Sequence, residues 1–168
     1  MSKNKLQAVT IIETLITLLA ISFMIAGPIF FVSRSFAYSK FVQDKIVAIS
    51  LAQEGLELAT SLRNNATTTF SAEVDSICLS NVCLIDWNGS GNVPSLNSCD
   101  MLGSTCRLTL LSNTYRHVAG GEPTKYLRAL SFEKDDNMHA YTVSSRVWSD
   151  EDVVFKVDVN LKKILYAN

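Results

Sequence analysis

The chain has 168 residues, 48% of them apolar and 18% charged, with a formal net charge of −1 and a mean hydropathy of +0.18. That length suits one domain with an appendage and argues against two full domains. The near-neutral balance excludes an electrostatic nucleic-acid binder, which needs clustered excess Lys and Arg. A positive hydropathy with so few charges is unusual for a soluble domain, so the apolar residues are expected to be concentrated in one place.

They are concentrated near the N-terminus. From Thr14 to Ser33 the chain runs 20 residues without a charge, which at about 1.5 Å per helical residue matches the roughly 30 Å of bilayer hydrocarbon. Lys3 and Lys5 precede this stretch and Arg34 and Lys40 follow it, so the flanking charges nearly tie on orientation. A cytoplasmic N-terminus is expected, because the four cysteines then lie on the oxidising side. Gly27-Pro28 is expected to kink the helix. A secretory signal peptide with a cleavage site at Ser35-Phe36-Ala37 is the competing reading, but its apolar core would be too long, since such cores run about 7–15 residues. A plain membrane anchor also fits the length.

Neither alternative accounts for Glu13, a carboxylate set among Ile11, Ile12, Leu15 and Ile16. An acidic side chain costs up to about 3 kcal/mol at the centre of a span, less towards its end, and such a residue marks a functional site whose partner should be named. No Lys or Arg lies at a similar depth.

The run Lys5-Leu6-Gln7-Ala8-Val9-Thr10-Ile11-Ile12-Glu13-Thr14-Leu15 resembles the N-terminal processing and methylation motif of type IV pilins and type II secretion pseudopilins. That motif is a short basic leader, Gly, an aromatic residue, Thr, two aliphatics, Glu and a long apolar run. The chain matches at Thr10, Ile11, Ile12 and Glu13 and departs at two positions, with Ala8 in place of Gly and Val9 in place of Phe. Both replacements keep the property needed, a small residue before the cut and an apolar one after it. The resemblance implies cleavage between Ala8 and Val9 by a prepilin peptidase and N-methylation of Val9. It further implies that Glu13 meets the Val9 ammonium of a neighbouring subunit during assembly. Such a pair lowers the cost of burying both charges and sets register.

Beyond Ser33 the helical pattern becomes amphipathic, with Val42, Ile46, Ile49, Ala52, Leu56, Ala59 and Leu62 at steps of three and four. This stripe is expected to pack on the chain's own head, and Asn64-Asn65 with the β-branched Thr67-Thr68-Thr69 marks the helix end. Gly55 costs about 1 kcal/mol in a helix relative to Ala, which suggests a close packing contact there. Residues 66 to about 106 read as a loop-rich insert containing the short apolar stretch Val82–Trp87. Four strands are then expected, at Arg107–Leu111, Tyr126–Glu133, Ala140–Trp148 and Val153–Leu165, separated by Gly120-Gly121-Glu122-Pro123, Asp135-Asp136-Asn137 and Ser149-Asp150-Glu151-Asp152. The fold class is α+β, a long N-terminal helix on an antiparallel sheet of about four strands. Its expected divisions are a leader at 1–8, a transmembrane and assembly half at 9–34, an amphipathic stem at 35–65 and an extracytoplasmic head at 66–168, with a Cys-rich insert at 78–106.

Cys78, Cys83, Cys99 and Cys106 are spaced C-x4-C-x15-C-x6-C. Zinc ribbons prefer C-x2-C pairs, so two disulfides are expected. Four cysteines allow three connectivities, of which Cys78–Cys83 with Cys99–Cys106 is favoured because it closes a tight turn. Asp135-Asp136 and Asp150-Glu151-Asp152 supply oxygen atoms of the kind calcium takes, but no EF-hand-type loop is present, and turn-forming or solvated acids explain them as well. No cofactor is therefore expected. His117 and His139 stand alone, and no Walker loop, G-x-S-x-G or H-E-x-x-H occurs, so nothing supports an enzyme. From Ala66 onward there are 9 Lys and Arg against 12 Asp and Glu, which leaves no argument for nucleic-acid binding.

Taken with the resemblance, these features imply a structural filament subunit, a minor pilin or pseudopilin rather than a major pilin because the Cys-stapled insert is elaborate for a main repeat unit. Its implied partners are the prepilin peptidase, other pilin-like subunits, an inner-membrane assembly platform and membrane lipid. Its implied location is the inner membrane as a single-pass precursor, then an extracellular or periplasmic filament. The alternative is a membrane-anchored extracytoplasmic binding domain that never assembles.

Overall fold

The computed structural model is described over residues 3–65, 69–79, 81–87, 94–100, 104–118, 120–150 and 156–166, with side chains from residue 11 onward. Helix α1 (Lys3–Asn65) is followed by α2 (Phe70–Ile77) and strands β1 (Val82–Trp87), β2 (Pro94–Cys99), β3 (Arg107–Leu111), β4 (Thr114–Arg116), β5 (Glu122–Asp135), β6 (Ala140–Ser149) and β7 (Asp158–Tyr166). A single 3-10 turn at Ser104–Cys106 leads into β3. The chain divides into two compact units, residues 1–42 and 43–168, and each is taken by itself.

The first unit is the apolar part of α1. The helical assignment runs through Pro28, and the large apolar side chains from Ile11 to Tyr38 stand 52–75% exposed. All four hydroxyls of the uncharged stretch bond back to their own helix. Thr14 donates to the Ile11 carbonyl at 2.8 Å, Thr17 to those of Glu13 and Thr14 at 3.0 and 2.9 Å, Ser22 to Leu18 at 2.8 Å and Ser33 to Ile29 at 3.0 Å. Hydroxyls satisfied in this way cost little in hydrocarbon, where no water replaces a missing partner. Arg34 closes the stretch with its guanidinium 5.3 Å from the centre of the Phe30 ring. This helix is long and apolar enough to cross a membrane.

The second unit is the α+β head. The rest of α1 packs on one seven-stranded sheet whose paired strands all run antiparallel. The sheet is therefore larger than the expected four strands. Of the three added strands, β1 is the apolar stretch Val82–Trp87, β2 is a Pro, Ser and Asn-containing run of low β propensity, and β4 has three residues. Cys78–Cys83 ties the end of α2 to β1, and Cys99–Cys106 ties the end of β2 to the turn before β3. Among its described residues the insert, expected to be loop-rich, holds a helix, a hairpin and two bridges. The last strand begins at Asp158, later than the expected Val153, and residues 151–155, with Val153 and Phe155, lie outside the described residues.

β5 and β6 form the long central hairpin, in register from Tyr126↔Ser149 to Asp135↔Ala140, and β7 continues from β6. On the other side of β5 two strands share one edge. β1 attaches at Cys83↔Leu130 and β3 from Arg107↔Leu127 onward. Residues 128–129 thus lie in a fork between the two.

The main core gathers Leu58, Ala59 and Leu62 from α1, Phe70 and Val74 from α2, and Ile85, Leu130, Phe132, Tyr141, Val143 and Leu165 from the sheet. Its centre is aromatic, with Phe70 edge-on to Tyr141 and Phe132 at centroid distances of 5.6 and 6.4 Å. The buried line of α1 runs through Ala48, Leu51, Ala52, Gly55, Leu58, Ala59 and Leu62, whereas Ile46, expected in the stripe, is 61% exposed. The expected stripe shares Ala52, Ala59 and Leu62 with that line, whereas Ala48, Leu51, Gly55 and Leu58 lie beside the expected positions. A Cβ on Gly55 would lie 2.6 Å from Ser145 Oγ and 3.3 Å from Arg128 Cδ. Gly55→Ala is therefore expected to destabilise the head by about 1–2 kcal/mol, overpacking outweighing the gain in helix propensity. Ser145 is wholly buried and its hydroxyl has no partner among the described residues, so Ser145→Ala in the same chain should recover most of the loss. Thermal melts of the two single variants and the double variant would read this as non-additivity.

Candidate functional site

Glu13 and the interior of the helix–sheet seam are the two places where polar chemistry stands apart from simple packing. Ala8 and Val9 lie on the helical backbone of α1, and their side chains fall outside the described residues. Glu13 follows on the bare helix, exposed between Ile12 and Leu15, which are themselves 60% and 61% exposed. Its carbonyl accepts from Thr17, and among the described residues no side chain pairs with its carboxylate. A carboxylate on an apolar helix is costly to bury without a partner.

The cysteines form Cys78–Cys83 and Cys99–Cys106, with Cα atoms 5.6 and 5.4 Å apart. Cys78, Cys83 and Cys106 are buried, so the bridges serve as staples for a hairpin with little core of its own. The acidic clusters are engaged in turns and ion pairs. Asp135 caps the β5–β6 turn, its Oδ1 accepting from the amides of Asn137 and Met138 at 3.0 and 3.3 Å. Asp136 pairs with Lys134 at 3.8 Å and Asp150 pairs with Arg107. Glu151 and Asp152 lie outside the described residues. Among the described residues no three His, Cys, Asp or Glu side chains converge as metal ligands. His139 sits in the same turn as Asn137 with φ +48°, a left-handed conformation His tolerates better than most residues.

The seam holds a charge that no sequence motif announces. Arg128, completely buried, fills the fork between β1 and β3. Nη1 donates to the Leu51 carbonyl of α1 at 3.3 Å and lies 3.1 Å from Glu54 Oε2, and Nη2 donates to the Ile85 carbonyl of β1 at 3.2 Å. The guanidinium thus binds helix to sheet and caps a carbonyl left free where β1 parts from β5. Burial lowers its pKa from the usual arginine value, and the Glu54 and Asp86 carboxylates oppose that shift. Asp86, also buried, accepts from the Trp87 and His117 amides at 2.8 Å each. His117 completes the group. Both its ring nitrogens are buried with no side-chain hydrogen-bond partner among the described residues, and burial, aided by the Arg128 charge, lowers its pKa from 6.5 to about 3. A hydrogen bond with the Arg107 backbone opposes that shift.

One signal for this cluster was present in the chain. Tyr126, Arg128, Leu130 and Phe132 alternate in one strand, and an Arg at an inward position of a period-2 pattern requires buried partners. Those partners come from Leu51, Glu54, Ile85 and Asp86, up to 77 positions away, so only the fold identifies them.

At the edge of the seam, Asp44 accepts from Lys125 Nζ at 2.7 Å and from the Tyr126 hydroxyl at 3.1 Å. Lys163 reaches Thr60 Oγ1 at 2.9 Å, and Arg63 Nε donates to the Tyr166 carbonyl at 2.9 Å. Polar ties therefore run along α1 from Asp44 to Arg63, with Arg128 at their buried centre. No family model, curated protein or solved structure matches the chain.

Proposed function

We propose that the chain is a structural subunit of a pilin-like filament, of the minor pilin or pseudopilin kind. It is inserted in the inner membrane as a precursor with its N-terminus in the cytoplasm, cut between Ala8 and Val9, and assembled through the apolar part of α1. The observation that carries this reading is Glu13, one acid on an otherwise uncharged helix face whose large apolar side chains are all exposed. An anchor that only holds a domain in lipid has no use for that carboxylate, whereas a filament of parallel copies gains register from it. The internally satisfied hydroxyls of the stretch suit both lipid, before assembly, and neighbouring apolar stems afterwards.

Mass spectrometry of the mature protein from its native host tests the proposal. A chain beginning at N-methylated Val9 is the expected result. A chain beginning at Met1 would make it a plain membrane anchor, and one beginning at Tyr38 a secreted domain.

A further inference from the structure

The short arm formed by β4 and the segment after it, residues 114–118, is held to the rest of the head by few contacts, whereas β3 pairs with β5 and buries Leu108. β4 is an edge strand of three residue pairs, attached only to β3. The segment that leaves it is fixed by the His117 amide donating to Asp86 Oδ2, and by Thr109 Oγ1, which lies 3.0 and 2.9 Å from the Arg116 and Val118 carbonyls. Into this junction the chain places an imidazole whose two nitrogens are buried and meet no side-chain partner among the described residues, with the Arg107 backbone as its hydrogen-bonding neighbour. A neutral ring, with one N–H to place, tolerates that position, but a charged ring does not, because both its nitrogens then carry donors and one is left without an acceptor.

We propose that His117 is an acid-operated clasp, which holds the β4 arm against β1 while the ring is neutral and releases the arm, with β3, β5 and β6 still paired, when the ring takes up a proton.

The groups facing the ring set this behaviour. Arg128 of β5 contributes a fixed positive charge. Asp86 of β1 commits its two oxygens to the Trp87 and His117 amides, and Glu54 of α1 is paired with Arg128. Arg107 of β3 offers a backbone hydrogen bond, its guanidinium being turned to the Thr124 carbonyl and Asp150. Among the described residues no carboxylate pairs with the ring nitrogens. Protonation therefore adds a second buried cation beside Arg128 without a counterion, and the inexpensive relief is to swing the ring into water. The sign follows from linkage. The released ring takes up its proton near pH 6.5 and the enclosed ring near 3, so the closed state is fully favoured above about pH 6.5 and loses ground as pH falls towards 3. Local opening of an edge arm needs far less free energy than global unfolding, which places release in the mildly acidic range. The clasp operates in the head alone, whether or not the chain assembles.

Amide hydrogen exchange on the full chain in detergent micelles, corrected for the intrinsic pH dependence of exchange, tests this. Between pH 7 and pH 4.5 the protection of amides in residues 114–118 should fall at least tenfold while that of β5 and β6 holds. His117→Asn, which cannot take up the proton, should remove the difference between the two regions. Equal loss across the sheet, no loss in the arm, or the same loss in His117→Asn would each overturn the proposal. Should that variant fail to fold, the His117 imidazole resonances of the unaltered chain decide. A His117 ring that titrates while the arm amides keep full protection would also overturn it.

Discussion

Replacing Arg128 by alanine should cost the head about 3–5 kcal/mol, the penalty for removing one partner of a buried ion pair. The loss is a large fraction of the 5–15 kcal/mol that stabilises a typical domain. Four groups lose their partner together. The Leu51 and Ile85 carbonyls are left unpaired at the seam, Glu54 loses its cation, and Asp86 keeps its charge without the guanidinium that offsets it. Arg128→Lys should recover little, because one ammonium cannot span two carbonyls and a carboxylate lying on different elements. Glu54→Gln should be much milder, near 1 kcal/mol, since its side chain is 41% exposed and water replaces the ion pair. Urea denaturation in detergent, followed by the fluorescence of Trp87 and Trp148, measures all three. A loss below 1 kcal/mol for Arg128→Ala would show that the seam is held by apolar packing alone.

The second large effect concerns assembly and rests on the proposed filament. Glu13→Ala should leave cleavage at Ala8/Val9 intact and abolish incorporation. Without the carboxylate, the ammonium of the adjoining subunit has no partner in hydrocarbon, at a cost of about 2.5–3.5 kcal/mol, equivalent to roughly a hundredfold loss in assembly equilibrium. The comparison is made in cells lacking the unaltered protein, with immunoblots of sheared filaments set against whole-cell precursor and mature bands. Filaments formed at the normal level would remove Glu13 from the assembly mechanism, and accumulation of uncut precursor would place it in processing instead.

The two predictions separate the halves of the molecule, because Arg128 acts only within the head and Glu13 only in the apolar part of α1. The unusual composition divides in the same way. The positive mean hydropathy arises from an apolar stem with its side chains exposed, joined to a head of ordinary burial. Cleavage of the leader would remove Lys3 and Lys5 and move the formal net charge from −1 to −3.

Legible in the residues alone were the features governed by local chemistry. The uncharged run, the helix end at Asn65, β3 in full and most of β5 and β6 follow from period and turn signals carried by adjacent positions. The cost of a glycine inside a helix marked Gly55 as a contact point, and Ser145 and Arg128 are what it touches. Tertiary structure alone decided what depends on distant partners. The buried line of α1 takes Leu51, Leu58 and Leu62 together with Ala48, Ala52, Gly55 and Ala59, and contact with the sheet selects it. β2 exists through its pairing with β1 and its disulfide and the three-residue β4 through its pairing with β3, whereas β1 shows in the chain as an apolar stretch whose partners the fold supplies. The Glu54–Arg128–Asp86–His117 group has no spacing to read, since its members come from α1, β5, β1 and the segment after β4 and meet where two strands part along one edge. A buried charge acquires its meaning from its neighbours, and folding supplies the neighbours.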